Sequence, residues 1–231
     1  MESISVTIPA YNEEENIENA IREADDFLKT TGRDYEILII NDGSADKTGE
    51  IVERIMEENS HVRIFHHKQN RGFGGAQKSC YDHATKDLIF LAPADGQVKM
   101  KDIQKYLDKI EDADVVVGYR LNRPEAFRRR LTSGTFHWVL RVLLGLNYKE
   151  LTTCVLYRKK VLDAVHLVSE SAFLEAEVIY KAQNRNFIIK EVGVQHYERQ
   201  AGESKGGYVL VILKTIWDLV KFSAKVRFSS D

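Results

Sequence analysis

Only two cysteines, Cys80 and Cys154, occur in the 231 residues. That is too few for a disulfide framework, and neither stands at metal-ligand spacing. Both read as reduced, packed thiols of a cytosolic protein. Long apolar runs are also missing. A spanning helix needs about 18 uncharged apolar residues, and the best stretch, Tyr208–Val226, is broken by Lys214, Asp218, Lys221 and Lys225. No secretory leader is expected, because the chain enters a strand-like segment, Ile4–Ile8, directly. Excess charge is lacking as well: a formal net charge of −2 gives no global reason to expect a nucleic-acid partner. There is no internal repeat, low-complexity tract or clear linker. What remains is a globular composition, 43% hydrophobic and 29% charged, and enough length for one α/β domain with a C-terminal attachment.

Apolar periodicity switches repeatedly between 2 and 3.6 residues. Ile4–Ile8 alternates apolar and polar residues, as a half-buried strand does, and Ile17, Ala20, Ile21, Ala24, Phe27 and Leu28 then fall at helical spacing. Asn12 followed by Glu13-Glu14-Glu15 reads as an N-cap with acid in the first turn. Tyr35–Ile40 is a continuous apolar run, the pattern of a strand covered on both faces. The alternation continues through a helix around Ile51–Met56, a strand at Val62–Phe65, a helix around Ala76–Ala84 and a strand at Leu88–Leu91. A helix over Ile103–Ile110 and a strand at Val115–Val117 complete it. Short connections between such elements imply right-handed βαβ crossovers and a mostly parallel, Rossmann-like sheet flanked by helices. Past Arg120 the expected pieces are a basic helix over 123–145, a short strand at 154–157, a helix at 173–184 and a strand at 187–192. The domain is placed at residues 1–206, and 207–231 form an appended amphipathic helix.

Ligands of open parallel sheets bind beyond the carboxyl ends of the strands. Here those ends carry Pro9-Ala10-Tyr11-Asn12-Glu13, Asn41-Asp42-Gly43-Ser44, Pro93-Ala94-Asp95-Gly96-Gln97 and Gly118-Tyr119-Arg120. Taken singly, Asn41–Ser44 and Asp95-Gly96 are ordinary turn chemistry; together they converge on one edge. Tyr11 offers a flat face to a base, and Glu13 and Asp42 can accept hydrogen bonds from base or ribose. The Asp95 and Gln97 oxygens suit one hard cation, Mg2+ or Mn2+, bridging a diphosphate. Arg120 can share that charge. Gly72-Phe73-Gly74-Gly75 lacks the Walker lysine and follows the third strand, so it reads as a bend that lets backbone approach the ligand. A dinucleotide oxidoreductase fits poorly, since no glycine fingerprint follows the first strand. His66, His67 and His137 lack partners at ligand spacing and read as packing or surface residues; His196, near Arg199, stands out slightly.

With these segments in order, the chain resembles the family 2 glycosyltransferases, most closely the dolichyl- or polyprenyl-phosphate mannose synthase-like group. Further pieces of the resemblance are Ala45-Asp46-Lys47-Thr48, Asn70-Arg71-Gly72, Gly75-Ala76, Phe173–Glu177, and His196–Arg199 with Gly202, Ser204 and Lys205. The resemblance implies a GT-A fold, a GDP- or UDP-linked sugar donor, a divalent metal, inversion at the anomeric carbon and a lipid-linked phosphate acceptor. It assigns the nucleotide to Pro9, Tyr11, Asn12, Glu13, Asp42, Asp95 and Gln97, and the metal to Asp95 and Gln97. Catalysis falls to Asp95 and Arg120, and the acceptor phosphate to Arg129, Arg130, Arg199, Ser204 and Lys205. One departure stands out: the family motif is Asp-x-Asp, and Pro93 occupies its first position.

A phosphate acceptor, with a second pKa of about 6, needs no strong base. A saccharide or protein hydroxyl would need one, and Glu177 or Glu175 is then the candidate. A degenerate module that binds nucleotide without chemistry is the third reading. The C-terminal stripe of Lys214, Asp218, Lys221 and Lys225 beside Val209, Leu213, Ile216, Trp217, Val220 and Phe222 suits a membrane surface, or burial against the domain, a second copy or a membrane-protein partner. A lipid acceptor favours the first, at the cytoplasmic membrane face.

Overall fold

The computed structural model describes residues 1–122, 138–151, 154–197 and 209–228, with side chains of the last segment described for 214–224. The elements follow the expected alternation: β1 Ile4–Ala10, α1 Ile17–Thr31, β2 Tyr35–Asn41, α2 Thr48–Glu58, β3 Val62–His66, α3 Gly72–His83 and β4 Leu88–Leu91. Then come a 3-10 turn at Met100–Asp102, α4 Ile103–Ile110 and β5 Val115–Arg120. The described part of α5 covers 138–144. It is followed by β6 Val155–Arg158, α6 Lys159–Asp163, α7 Leu174–Asn184, β7 Ile189–Val194 and α8 Val209–Phe228.

The strands form one sheet in the order β3-β2-β1-β4-β6-β5-β7. Neighbours pair in parallel except at β6, which is antiparallel to both β4 and β5. Chain order therefore runs left from β1 through β2 to β3, then jumps back across β1 to β4. The reversal puts a topological switch point between the carboxyl ends of β1 and β4, where a crevice opens in folds of this kind. The Thr7↔Leu91 pairing and the bond from the Ala92 N–H to the Thr7 carbonyl (2.9 Å) hold those two ends side by side.

Strand residues divide strictly between two cores, as a two-residue period demands. Ile37 and Ile39 join α1, α2 and α4 on one face; Leu38 and Ile40 join α3, α5, α6, α7 and α8 on the other. Each fully buried branched or aromatic side chain contributes about 1.5–3 kcal/mol relative to exposure. β1 departs from the half-buried reading: Ser5 and Thr7 are fully buried too, since β1 is central. Their hydroxyls stay satisfied, Ser5 Oγ donating to Glu36 Oε1 (2.6 Å) and Thr7 Oγ1 to the Phe90 carbonyl (3.2 Å). Helix α1 also begins later than expected. Its N-cap is Asn16, while Asn12 sits in the left-handed region at φ 51° within the preceding loop.

Candidate active site

The loops after β1 and β2 are laced together by side chain to backbone bonds. The Asn12 N–H donates to Ser44 Oγ (3.0 Å), and Asn12 Oδ1 accepts from the Ala45 N–H (2.9 Å). The Glu13 N–H donates to Thr48 Oγ1 (2.9 Å), and Glu13 Oε2 accepts from Asn16 (2.8 Å). Left-handed Asn12 is the hinge of this lacing, a conformation asparagine tolerates better than most residues. It sets Tyr11, half-buried, at the end of β1 beside the switch point. Pro9, Tyr11, Asn12 and Glu13 thus lie at the end of β1 and in the loop that follows it.

Asp42, expected at the base or ribose, is held by groups of its own chain. It is 2% exposed. Its Oδ1 accepts from the Arg71 N–H (2.9 Å) and from His67 Nδ1 (2.6 Å), and its Oδ2 from the Gly72 N–H (2.9 Å). The physical reason is the start of α3, where unpaired N–H groups and the helix dipole attract an anion. The glycines there also serve packing. A Cβ on Gly74 would collide with the backbone of Glu170 and Ser171, so the close approach at this bend is by the chain's own 170–171 segment. Arg71 reaches that segment through an ion pair with Glu170 (2.5 Å).

Past the switch point, Asp95 lies 6% exposed in a tight turn, its Oδ1 accepting from the Gln97 N–H (3.1 Å). Gly96, at φ 71°, makes that turn possible. Pro93 lines a narrow cleft with Asn16, Asn19 and Gly96. The loop crosses toward the distal strands, where the Tyr197 N–H donates to the Gln97 carbonyl (2.9 Å). Asn122 and His196 bond reciprocally beside it (2.8 and 2.9 Å). His196 therefore stands on the same edge as Asp95, joined through its neighbour. Arg120 is held by Glu150, which is fully buried: the backbone N–H (2.9 Å), Nε (2.7 Å) and Nη2 all donate to its carboxylate. Glu150 is not legible in the sequence, because a lone acid in a loop carries no periodic signal.

Among the described residues no three histidine, cysteine or carboxylate side chains converge to hold a metal by themselves. The donor set at Asp95 and Gln97, one carboxylate and one amide, fits a hard cation whose other ligands come from a diphosphate and water, the usual manner of Mg2+ at phosphate sites.

The two glutamates weighed as bases are both in the interior. Glu177, fully buried, accepts from the Val168 N–H (3.1 Å), the Ser169 N–H (2.9 Å) and Lys181 Nζ (2.5 Å). Those donors hold its carboxyl below the ordinary range against the opposing effect of burial. Its observed work is to fasten the 168–169 loop to α7, which corrects the expectation of a carboxylate facing an acceptor. Glu175 is 5% exposed and accepts from Tyr81 Oη (2.8 Å), Gln77 Nε2 and Tyr157 Oη. Burial pushes its pKa up to about 8 despite the hydrogen bonds from Tyr81 and Gln77. Both face inward because α7 is packed on nearly all sides. Arg129, Arg130, Arg199, Ser204 and Lys205 lie outside the described residues.

A cavity of about 290 Å³ opens between α1 and α2, lined by Arg22, Asp25, Lys29 and Asn59 among others. Asn59 and Ser60 precede β3, so it lies toward the opposite edge, and the strand-end loops are the better candidate on chemistry.

Solved structures with this arrangement include glucosyl-3-phosphoglycerate synthase from Mycobacterium tuberculosis. In complex with Mn2+, UDP-glucose and phosphoglyceric acid it superposes with a TM-score of 0.74 at 18% identity, covering 96% of this chain and 80% of that one. The form with Mg2+ and UDP gives 0.68 at 18% identity, over 98% and 79%. A further mycobacterial protein gives 0.75 at 16% identity, over 96% and 75%. At such identities the likeness establishes the fold, of GT-A type. The sequence model described as "Glycosyl transferase family 2" matches residues 5–165, well over half of the chain. The chain belongs to glycosyl transferase family 2, an inverting hexosyltransferase family that draws on nucleotide-sugar donors.

Proposed function

We propose that the chain transfers a hexose from a nucleoside-diphosphate sugar to a phosphate-bearing acceptor, with a polyprenyl-type lipid phosphate as the first reading. The observation that carries the donor half is the switch point, with the Tyr11 loop on one side and the Asp95 turn on the other. The diphosphate lies at Asp95 and Gln97, and a divalent ion bound there would neutralise charge on the departing nucleotide. Arg120, fixed by Glu150, keeps a guanidinium at the end of β5 without reorganisation. In a single displacement the acceptor oxygen bonds to the anomeric carbon as the bond to the β-phosphate oxygen breaks. The nucleotide leaves with the electron pair, and configuration inverts.

Burial of Glu175 and Glu177 supports an acceptor that needs no base, which a phosphate monoester satisfies. Two helices leave apolar side chains in water: Trp138 and Val142 on α5, about 62% and 61% exposed, and Ile216, Trp217 and Val220 on α8. Lys214 and Lys221 are exposed on α8 as well. On α8 this mix of exposed apolar and basic side chains suits a headgroup layer over an acyl boundary, and no helix among the described residues is long and apolar enough to cross a membrane. The second reading, a hydroxyl of a small phosphorylated acid, is favoured by the similarity to an enzyme crystallised with phosphoglyceric acid.

The test is a transfer assay with UDP- and GDP-sugars and Mn2+, offering polyprenyl phosphate in vesicles against 3-phosphoglycerate in solution. Lipid-linked product supports the first reading, and product only with phosphoglycerate supports the second. Nucleotide binding with no transfer to either, and no donor hydrolysis, would refute both in favour of a non-catalytic module.

A further inference from the structure

The loops that frame Tyr11 converge on one buried carboxylate, and behind it runs a chain of buried polar groups. Asp42 Oδ1 meets His67 Nδ1 at 2.6 Å, and His67 Nε2 meets Ser79 Oγ at 2.8 Å. All three residues are buried. With Nδ1 as the donor to Asp42, Nε2 lies within hydrogen-bond reach of the Ser79 hydroxyl. The series links the end of β2, the end of β3 and the second turn of α3. On its other side Asp42 fixes the Arg71 and Gly72 N–H groups. That anchors a loop whose Gln69 and Asn70 backbone presses on Gly43 so closely that a Cβ there would come within 2.7 Å. The Gly43 loop in turn carries Ser44, Ala45 and Thr48, the partners of Asn12 and Glu13.

We infer that His67 and Ser79 are positioning residues of the nucleotide subsite, which set the angle of Asp42 and through it lock the loops after β1, β2 and β3 into one block beneath the base. The inference rests on the reading of this edge as a nucleotide-sugar site. Neither residue contacts the ligand. Removing the His67 donor leaves a buried carboxylate lone pair unmatched, and Asp42 then turns toward other donors and loosens the block.

The experiment is calorimetric binding of UDP and of GDP, each with Mn2+, to the full chain and to His67→Phe, His67→Asn and Ser79→Ala, with urea melts in parallel. The amide introduced by the second variant reaches Asp42 from the position of Nδ1; the phenyl ring introduced by the first cannot donate. Affinity should fall about tenfold in His67→Phe, the order of one charge-assisted hydrogen bond, and stay within about threefold of wild type in His67→Asn. In turnover the donor KM should rise while kcat and the acceptor KM hold, a split that general destabilisation does not produce. Wild-type affinity in folded His67→Phe, or equal losses in the Phe and Asn variants, overturns the inference. Should His67→Phe fail to fold, Ser79→Ala decides: a measurable loss of affinity supports the series and wild-type affinity overturns it. Wild-type protein that binds neither nucleotide sinks the donor reading itself, a result distinct from any of these.

Discussion

Replacing Glu175 with glutamine should remove a steep pH dependence of stability that the core imposes on this protein. The Glu175 carboxyl lies between α3, β6 and α7, with its pKa raised from 4.5 to about 8 by burial. In the unfolded chain it ionises near 4.5, while in the folded protein it keeps its proton until about pH 8. Over that window the unfolded state binds fewer protons than the native state, so stability falls as pH rises. Its contribution is complete below pH 4.5 and gone above about 8. Each unit is worth about 1.4 kcal/mol, so the whole window costs about 5 kcal/mol, a large part of the 5–15 kcal/mol typical of a folded domain. Glutamine keeps the acceptor oxygen and the shape but has no proton to lose. Other titrating groups are common to both proteins and cancel in the difference. Equilibrium urea unfolding of wild type and Glu175→Gln at half-unit steps from about pH 5 to 8.5 is the assay. With a slope of about 3 kcal/mol/M, the midpoint difference should grow by about 0.5 M per pH unit in favour of the variant and level off above about pH 8. Parallel profiles would show that Glu175 is ionised in the folded protein and that the three donors outweigh burial.

Asp95→Asn should lower transfer by about 10²–10³-fold, the scale of losing one transition-state electrostatic contact, and flatten the Mn2+ dependence; steady-state kinetics across a metal titration reads both. Gly43→Ala places a side chain at φ 69° against the Gln69–Asn70 backbone, so it should cost about 1–3 kcal/mol in urea melts and weaken nucleotide binding in the same calorimeter. Glu150→Gln strips the anion from the Arg120 guanidinium, and breaking such a buried pair costs about 3–5 kcal/mol; a melting temperature unchanged from wild type would contradict the pairing described. Trp217→Glu, on an exposed face, should abolish co-sedimentation with anionic vesicles while sparing donor hydrolysis in solution.

The places where sequence and structure part company share a cause. β6 was legible as an apolar run, but such a run carries no direction, and its antiparallel insertion between β4 and β5 depends on where the chain returns after residue 151. The two acids of Phe173–Glu177 looked like candidates for a base, because helix periodicity reports one partner face and α7 has several. The donors that hold Asp42 were not legible, because they lie 25 to 30 residues away along the chain.

By itself the sequence determined the strand–helix alternation, the side of the sheet on which the polar loops gather, and the family. These rest on local periods and on residues adjacent in the chain, which need no third dimension to be read. Tertiary structure decided which of the gathered groups face the crevice and which hold it together. Glu175 and Glu177 went to the second task because burial and distant donors, not residue type, set the free energy of a carboxylate.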